Sequence, residues 1–323
     1  MKKRFLTAAM ALALTAGGAG TAADAKEAPV YTVGICQYVR HEALDAAARG
    51  FKDAVTEGLG DKVEFNEQNA QGDAHTCPII INSFVSGGVD LILANATPAL
   101  QAAATATDEI PILGTSVTDY AAALDVDEFD GTAGRNVSGT SDLAPLDEQA
   151  AMVQELFPDA ENVGLIYCSS EPNSLYQVKA MTGELEKRGY TCKAYGFSDS
   201  NDISAVVTRA ASECDVLYVP TDNTAASNAE LIANICVPAG IPVIAGEEGA
   251  CRGCGVATLS IDYYSLGYTT GEMAVRVLAQ GEDISAMPIE YAPAFTKKYN
   301  REICEKLGLE MPEDYEALEM IAD

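Results

Sequence analysis

From about residue 30 onward, short apolar runs alternate with stretches in which apolar positions recur every three to four residues. Residues 31–36 form the first run. The segment after it places Leu44, Ala48, Phe51, Val55 and Leu59 on one stripe of a helix, with Glu42, Asp45, Arg49, Lys52 and Asp53 elsewhere. Residues 63–65, 90–94 and 110–114 supply further strands, with helical stretches between them. Strands that alternate with helices predict an open parallel sheet covered on both faces.

The pattern then starts again. Val33-Gly34-Ile35 returns as Val163-Gly164-Leu165, Asp90-Leu91-Ile92-Leu93 as Asp215-Val216-Leu217-Tyr218, and Ile110-Pro111-Ile112-Leu113 as Ile241-Pro242-Val243-Ile244. Three landmarks in one order at a nearly constant spacing mark an internal repeat. After it come a strand at 256–261, a helix at 263–278 and a short strand at 290–292. The expected fold is α/β, with two Rossmann-like lobes of parallel sheet joined by a hinge of several crossovers. Residues 26–140 plus 262–291 form the expected N-terminal lobe, and 141–261 plus 292–323 the C-terminal one. Irregular stretches near 136–145, 259–262 and 292–295 are the expected crossovers, and hinges of this kind close around ligands.

The N-terminus adds a location. Lys2, Lys3 and Arg4 precede an apolar run at 5–14, and small residues lead to Ala23-Asp24-Ala25, which is the pattern of a signal peptide cut after Ala25. Thr7, Thr15 and Gly17-Gly18 interrupt the run, which falls short of the about 20 apolar residues of a membrane span. No Cys lies near the cut, so a lipid-anchored terminus is not expected. The mature chain should be periplasmic or extracellular.

With 20 Lys and Arg against 48 Asp and Glu, the net charge of −28 repels phosphate backbones and anionic lipid, so nucleic acid and membrane surfaces are poor partners. Nine Cys is an odd count, leaving at least one thiol unpaired within the chain. Cys251-Arg252-Gly253-Cys254 is the one close pair, and no second CxxC or CxxH completes a zinc set. A surface-loop disulfide or two free thiols is the expectation there, and no metal or cofactor is expected. An enzyme is the main rival class. Only His41 and His75 are present, and Walker, dinucleotide-binding and nucleophile-elbow motifs are all missing. A transcription regulator would need a DNA-binding helix pair where the signal peptide stands.

In open parallel sheets, ligands bind beyond the carboxyl ends of the strands. Six segments meet that description: 37–42, 95–100, 115–119, 169–174, 221–224 and 246–249. Thr97-Pro98 and the run Ser169 to Ser174 offer helix starts whose free N–H groups suit a carboxylate, while Asp119, Glu171, Asp222 and Glu247 offer acceptors for an ammonium. Together they suit a zwitterion. Removing the carboxylate in Asp222→Ala is expected to abolish binding without unfolding the chain. Apolar contact would come from Tyr38, Tyr120, Tyr263, Tyr264 or Phe295, since there is no Trp.

Several stretches carry a family resemblance: Gln37-x-Val39-x-His41-x-Ala43-Leu44-Asp45, Asn69-Ala70-Gln71-Gly72-Asp73, Ala96-Thr97-Pro98-Ala99, Ser116-Val117-Thr118-Asp119, Ser141-Asp142-Leu143, Ser170-Glu171-Pro172-Asn173-Ser174, Val219-Pro220-Thr221-Asp222-Asn223-Thr224 and Ile261-Asp262-Tyr263-Tyr264. The chain resembles the ABC-transporter substrate-binding family, in its branch for tryptophan and other aromatic amino acids. The resemblance implies a type I periplasmic-binding-protein fold and a monomer that delivers a small ligand to a membrane permease. The ligand residues it carries over are Gln37, Thr97, Thr118, Asp119, Ser170, Glu171, Asn173, Asp222, Asn223 and Glu247. Glu42 and Tyr120 stand where the family usually has proline. An extracellular sensor that serves a receptor, or a site for a sugar or nucleoside, are the alternative readings.

Overall fold

The structure, a computed structural model, describes residues 30–292 and 294–319. The expected signal peptide lies outside the described residues. The first half of the chain runs β1 (Tyr31–Gln37), α1 (Glu42–Leu59), β2 (Val63–Asn69), α2 (Thr76–Gly87), β3 (Leu91–Asn95), α3 (Thr97–Ala106), β4 (Ile112–Val117), α4 (Tyr120–Leu124) and β5 (Val137–Ser141). The second half repeats the scheme as α5 (Leu146–Leu156), β6 (Asn162–Cys168), α6 (Pro172–Lys187), β7 (Thr191–Phe197), α7 (Ile203–Glu213), β8 (Val216–Val219), α8 (Asn223–Ala226), α9 (Ala229–Ala239), β9 (Val243–Ala245), α10 (Glu248–Gly253) and β10 (Ala257–Ser260). The chain ends with α11 (Tyr263–Gln280), β11 (Glu290–Tyr291), β12 (Thr296–Tyr299), α12 (Arg301–Leu307) and β13 (Glu316–Ala317).

These strands form two sheets, ordered β11-β5-β4-β3-β1-β2 and β13-β12-β10-β9-β8-β6-β7. All their pairings are parallel except β10 with β12. The reason is visible in the strands themselves. The central β3 and β4 are buried along their whole length, as strands covered by helices on both faces must be, whereas the edge strand β2 alternates partly buried and exposed positions. The expected α/β fold with two parallel-sheet lobes is therefore present.

The tail returns to the first sheet before it joins the second. α11 packs along α1, and small residues let the two backbones close in: a β-carbon at Gly267 would lie 1.9 Å from the Ala47 carbonyl oxygen, and one at Gly50 2.1 Å from that of Tyr264. β11 then adds to β5, and β12 and β13 to β10. Thus the chain passes between the sheets after β5, after β10 and after β11, and these passages lie at the carboxyl edges where the loops gather.

All nine Cys are free thiols. Of the two expectations for Cys251 and Cys254, the free thiols hold and the surface-loop disulfide does not: both are buried, in and just after α10.

The cleft between the lobes as candidate functional site

At the carboxyl end of β3 the chain turns abruptly into α3. Ala96 takes φ 92° and ψ 158°, a region normally left to glycine, and Ser116 at the end of β4 takes φ 55° beside a register shift in the strand pairing. Such conformations cost about 1–3 kcal/mol each and persist where surrounding structure enforces them, most often at ligand sites. Here they bring Thr97 and Ser116 to the same edge. Both hydroxyls are buried and reach no partner, and no side chain caps α3. Buried polar atoms are nearly always paired, so two bare hydroxyls at one strained edge are donors waiting for an acceptor.

The neighbouring residues have settled roles. Gln37 donates to the Val39 carbonyl (2.9 Å) and to Asp45 (2.6 Å), which fixes the loop into α1. Thr118 is buried next to Asp142. Asp119 caps α4 by accepting from the Ala122 amide, and it lies beside Tyr176 of α6, so two lobes meet there. Burial, helped by the Asp119 charge, raises the Tyr176 phenol.

On the second lobe Glu171 is the hub. It is fully buried, and its carboxylate accepts from the amides of Asn223 and Thr224, the Thr224 hydroxyl and the side-chain amides of Asn223 and Asn173. Four of these donors belong to the first two residues of α8 and the fifth to α6, so Glu171 holds one loop of the lobe against another. Asp222 does similar work: it accepts from the Cys168 amide (2.6 Å) and the Ala225 amide (2.7 Å). Burial first, and the Glu171 charge second, push its pKa up to about 7. Glu247 caps α10 through the Gly249 and Ala250 amides, and burial pushes it up to about 7 as well. Asn173 donates to Glu171 and to the Thr221 carbonyl (3.0 Å), but its carbonyl oxygen is buried without a partner. Ser170 is exposed at the rim, where its hydroxyl meets Cys168 Sγ and the Ser198 carbonyl.

The lobes are in contact across this edge. His41 Nε2 lies 3.1 Å from Asn223 Oδ1. Because the Asn223 amide nitrogen already donates to Glu171, its oxygen must accept, so His41 carries its proton on Nε2 and Nδ1 is left bare. Burial lowers the His41 pKa, which keeps the ring neutral. Glu42 pairs with Arg252 (2.7 Å), which also holds Glu248 (2.8 Å), and Lys298 closes on the same Glu248 (2.6 Å). Tyr38 is buried under the loop, its hydroxyl on the Gly72 carbonyl, and burial together with the Glu171 charge raises that phenol. The two departures from the family pattern thus have definite places. Glu42 is one half of an ion pair between lobes, and Tyr120 lies in the first lobe's core over Gly114 and Gly139, donating to the Thr140 carbonyl.

Asn173 and Asn223 gather on Glu171 with Asp222 beside it, Asp119 faces Tyr176, His41 reaches Asn223 from the first lobe, and Thr97, Thr118 and Glu247 lie just beyond the carboxyl ends of β3, β4 and β9, with Gln37 bound to Asp45 and Ser170 exposed. Sequence reasoning did not single out Ser116, His41, Tyr176 or Asp142. Ser116 and Asp142 stand inside stretches quoted for the family, yet only the backbone turn and the unfilled hydrogen bonds mark them. Asp142, at the crossover after β5, is buried, accepts from the Tyr263 hydroxyl (2.9 Å) and leaves its other oxygen bare. Desolvation raises it to about 6. Among the described residues no cluster of three His, Cys, Asp or Glu could hold a metal ion.

Known proteins share this fold. Residues 32–319 match the family model of the ABC transporter substrate binding protein. A tyrosine-binding protein of Clostridioides difficile (strain R20291) is 39% identical over 260 residues, which are 80% of this chain and 75% of that protein. The structure of an ABC domain in complex with L-Trp from Streptococcus pneumonia is 31% identical, covers 88% of this chain and 96% of its own, and superimposes with a TM-score of 0.83. The ligand-free, open structure of a substrate binding protein with adhesive properties from Clostridium difficile is 38% identical, covers 90% and 100%, and superimposes with a TM-score of 0.68. The fold is that of type I periplasmic binding proteins. With a family match from β1 to the C-terminal strands, the chain belongs to the ABC transporter substrate binding proteins.

Proposed function

We propose that the protein captures an aromatic L-amino acid between its lobes and presents it, closed, to a membrane permease of an ABC uptake system. One observation carries this reading: the bare hydroxyls of Thr97 and Ser116 at the carboxyl edge of the first sheet stand ready to donate, and the bare oxygens of Asp142 on the crossover and Asn173 on α6 stand ready to accept. A ligand with a carboxylate and an ammonium completes both sets, and its ammonium, unlike the hydroxyls of a neutral sugar, also offsets the Asp142 charge. The aromatic side chain is supported by the relatives, one a tyrosine-binding protein and one holding L-Trp.

In this reading residues 26–140 with 262–291 form one lobe and 141–261 with 292–323 the other. The segments between them act as the hinge, and the ion pair of Glu42 with Arg252 favours the closed state. The mature chain works outside the cytoplasm as a monomer, without catalysis of its own.

The direct test is a thermal-shift panel on residues 26–323 with L-tyrosine, L-tryptophan, L-phenylalanine, aliphatic amino acids, sugars and nucleosides. An aromatic amino acid at 100 times its dissociation constant is expected to stabilise the protein by about 2.7 kcal/mol. A response confined to sugars or nucleosides would overturn the proposal.

A further inference from the structure

We infer that Asp142 is the residue that holds the ligand's ammonium group. This rests on the proposed capture of an amino acid and names the counter-ion within that site.

Elimination among the acids comes first. Both oxygens of Asp222 and both of Glu247 accept backbone amides, and Glu171 is filled by five donors. Asp119 is only partly buried, with Oδ1 on its helix cap and the Tyr176 phenol beside it. The three fully buried carboxylates are thereby spent on holding loops. Asp142 is different. It is 3% exposed, Oδ2 accepts from Tyr263, the Thr118 hydroxyl stands beside the carboxylate, and Oδ1 is buried with no hydrogen-bond partner. A desolvated carboxylate oxygen left bare is among the least tolerated groups in a protein interior, and a cation that enters with the ligand removes that penalty.

The position of Asp142 agrees. Its amide is bound by the Val117 carbonyl at the end of β4, so it stands on the crossover itself, next to Thr118. Tyr263, its partner, is the first residue of α11, and its phenol also meets Thr221 of the other lobe. The Thr221 carbonyl in turn receives the Asn173 amide, whose own oxygen is another bare acceptor, as is that of Asn95 at the end of β3. Asp142 and Asn173 are thus linked through Tyr263 and Thr221, one charged and one neutral. An ammonium has three donors, and this floor supplies a carboxylate and an amide oxygen for them. Because Asp142 lies where the lobes are joined and Asn173 on the second lobe, a cation bridging them also ties ligand capture to closure.

The test compares L-tyrosine with 3-(4-hydroxyphenyl)propanoate, which lacks only the amino group, by isothermal titration calorimetry on the wild type and on Asp142→Asn. Asn keeps the size and an acceptor for Tyr263 but removes the charge. L-tyrosine affinity is expected to fall about 10- to 100-fold, the range of hydrogen bonds to a charged group, while the weak binding of the propanoate stays within about threefold. Unchanged L-tyrosine affinity in the variant, or an equal loss for both molecules, would overturn the assignment. Wild type that binds neither molecule nor any aromatic amino acid would instead overturn the proposed ligand, and the assignment with it. Should Asp142→Asn fail to fold, Asp142→Ser, which leaves a hydroxyl for Tyr263, takes its place under the same criteria.

Discussion

Replacing Glu171 with Ala is expected to destabilise the protein by about 3–5 kcal/mol, the size seen when one partner of a buried charged network is removed. Five donors lose their acceptor at once, and two of them are the backbone amides that open α8. The Asn223 and Asn173 donors are buried with Glu171 and cannot turn to water, while those of Thr224 are partly buried. For a chain of this size each kcal/mol shifts Tm by about 2–4 °C, so a fall of about 10 °C in a ligand-free thermal scan is the expected reading. Asp222→Ala belongs to the same class, since it strips the Cys168 and Ala225 amides of their acceptor. The sequence-based expectation that it abolishes binding in an otherwise intact fold now becomes an expectation of lost stability. Either variant with wild-type Tm would show that these carboxylates are not the supports they appear to be from their bonds.

Ligand-free stability is expected to fall as pH rises from about 4.5 to 7.5. Burial raises three acids above their ordinary values: Asp142 to about 6, Asp222 to about 7 and Glu247 to about 7. Each holds a proton in the folded state that the unfolded chain has released, so its contribution is complete below about pH 4 and is lost as pH climbs through the folded value. The net charge of −28 acts in the same sense. His41 acts in the opposite sense: its pKa is lowered, so the stability it confers is present above its ordinary value and lost on acidification. Three groups and the overall charge outweigh one, and Tm at pH 5 should exceed that at pH 7.5 by at least about 5 °C, again by the size scaling of Tm. A Tm that is flat or rises over this range would mean that the three acids are not buried as described. A bound ammonium favours the ionised form of Asp142, so ligand-induced stabilisation should grow over the same interval.

How far these features could be read from sequence follows from what each depends on. The strands were legible because burial on both faces demands unbroken apolar runs, as in Leu91-Ile92-Leu93-Ala94. The cleft edge was legible because topology alone places it at the carboxyl ends of those strands. Boundaries drifted by one to four residues, as with β4, which begins at Ile112 where the run Ile110-Pro111 suggested an earlier start: Pro111 donates no amide, and the ladder opens after it.

The division of labour inside the cleft was not legible. An Asp or Glu before a helix looks the same in sequence whether its oxygens face the chain's own amides or a ligand. Asp222 and Glu247 face the amides, and this follows from the turns that bring Cys168 and Gly249 within reach. Asp142 was hidden for the converse reason. It sits in an irregular crossover with no helix to cap, and its character comes from a single bond to Tyr263 across 121 residues of sequence. Ser116 gave no signal either, since its exposure to the cleft depends on a positive φ that its residue type does not advertise.

The central claim is that the cleft recognises both charges of an amino acid at once, and calorimetric titration of the mature wild type at pH 7.5 tests it most directly. The ligands are L-tyrosine, its des-amino analogue 3-(4-hydroxyphenyl)propanoate and its decarboxylated analogue tyramine. The account predicts that L-tyrosine binds and that each analogue binds at least about 10-fold more weakly, one for want of the Asp142 and Asn173 contacts and the other for want of those at Thr97 and Ser116. Equal affinity for L-tyrosine and either analogue would contradict it.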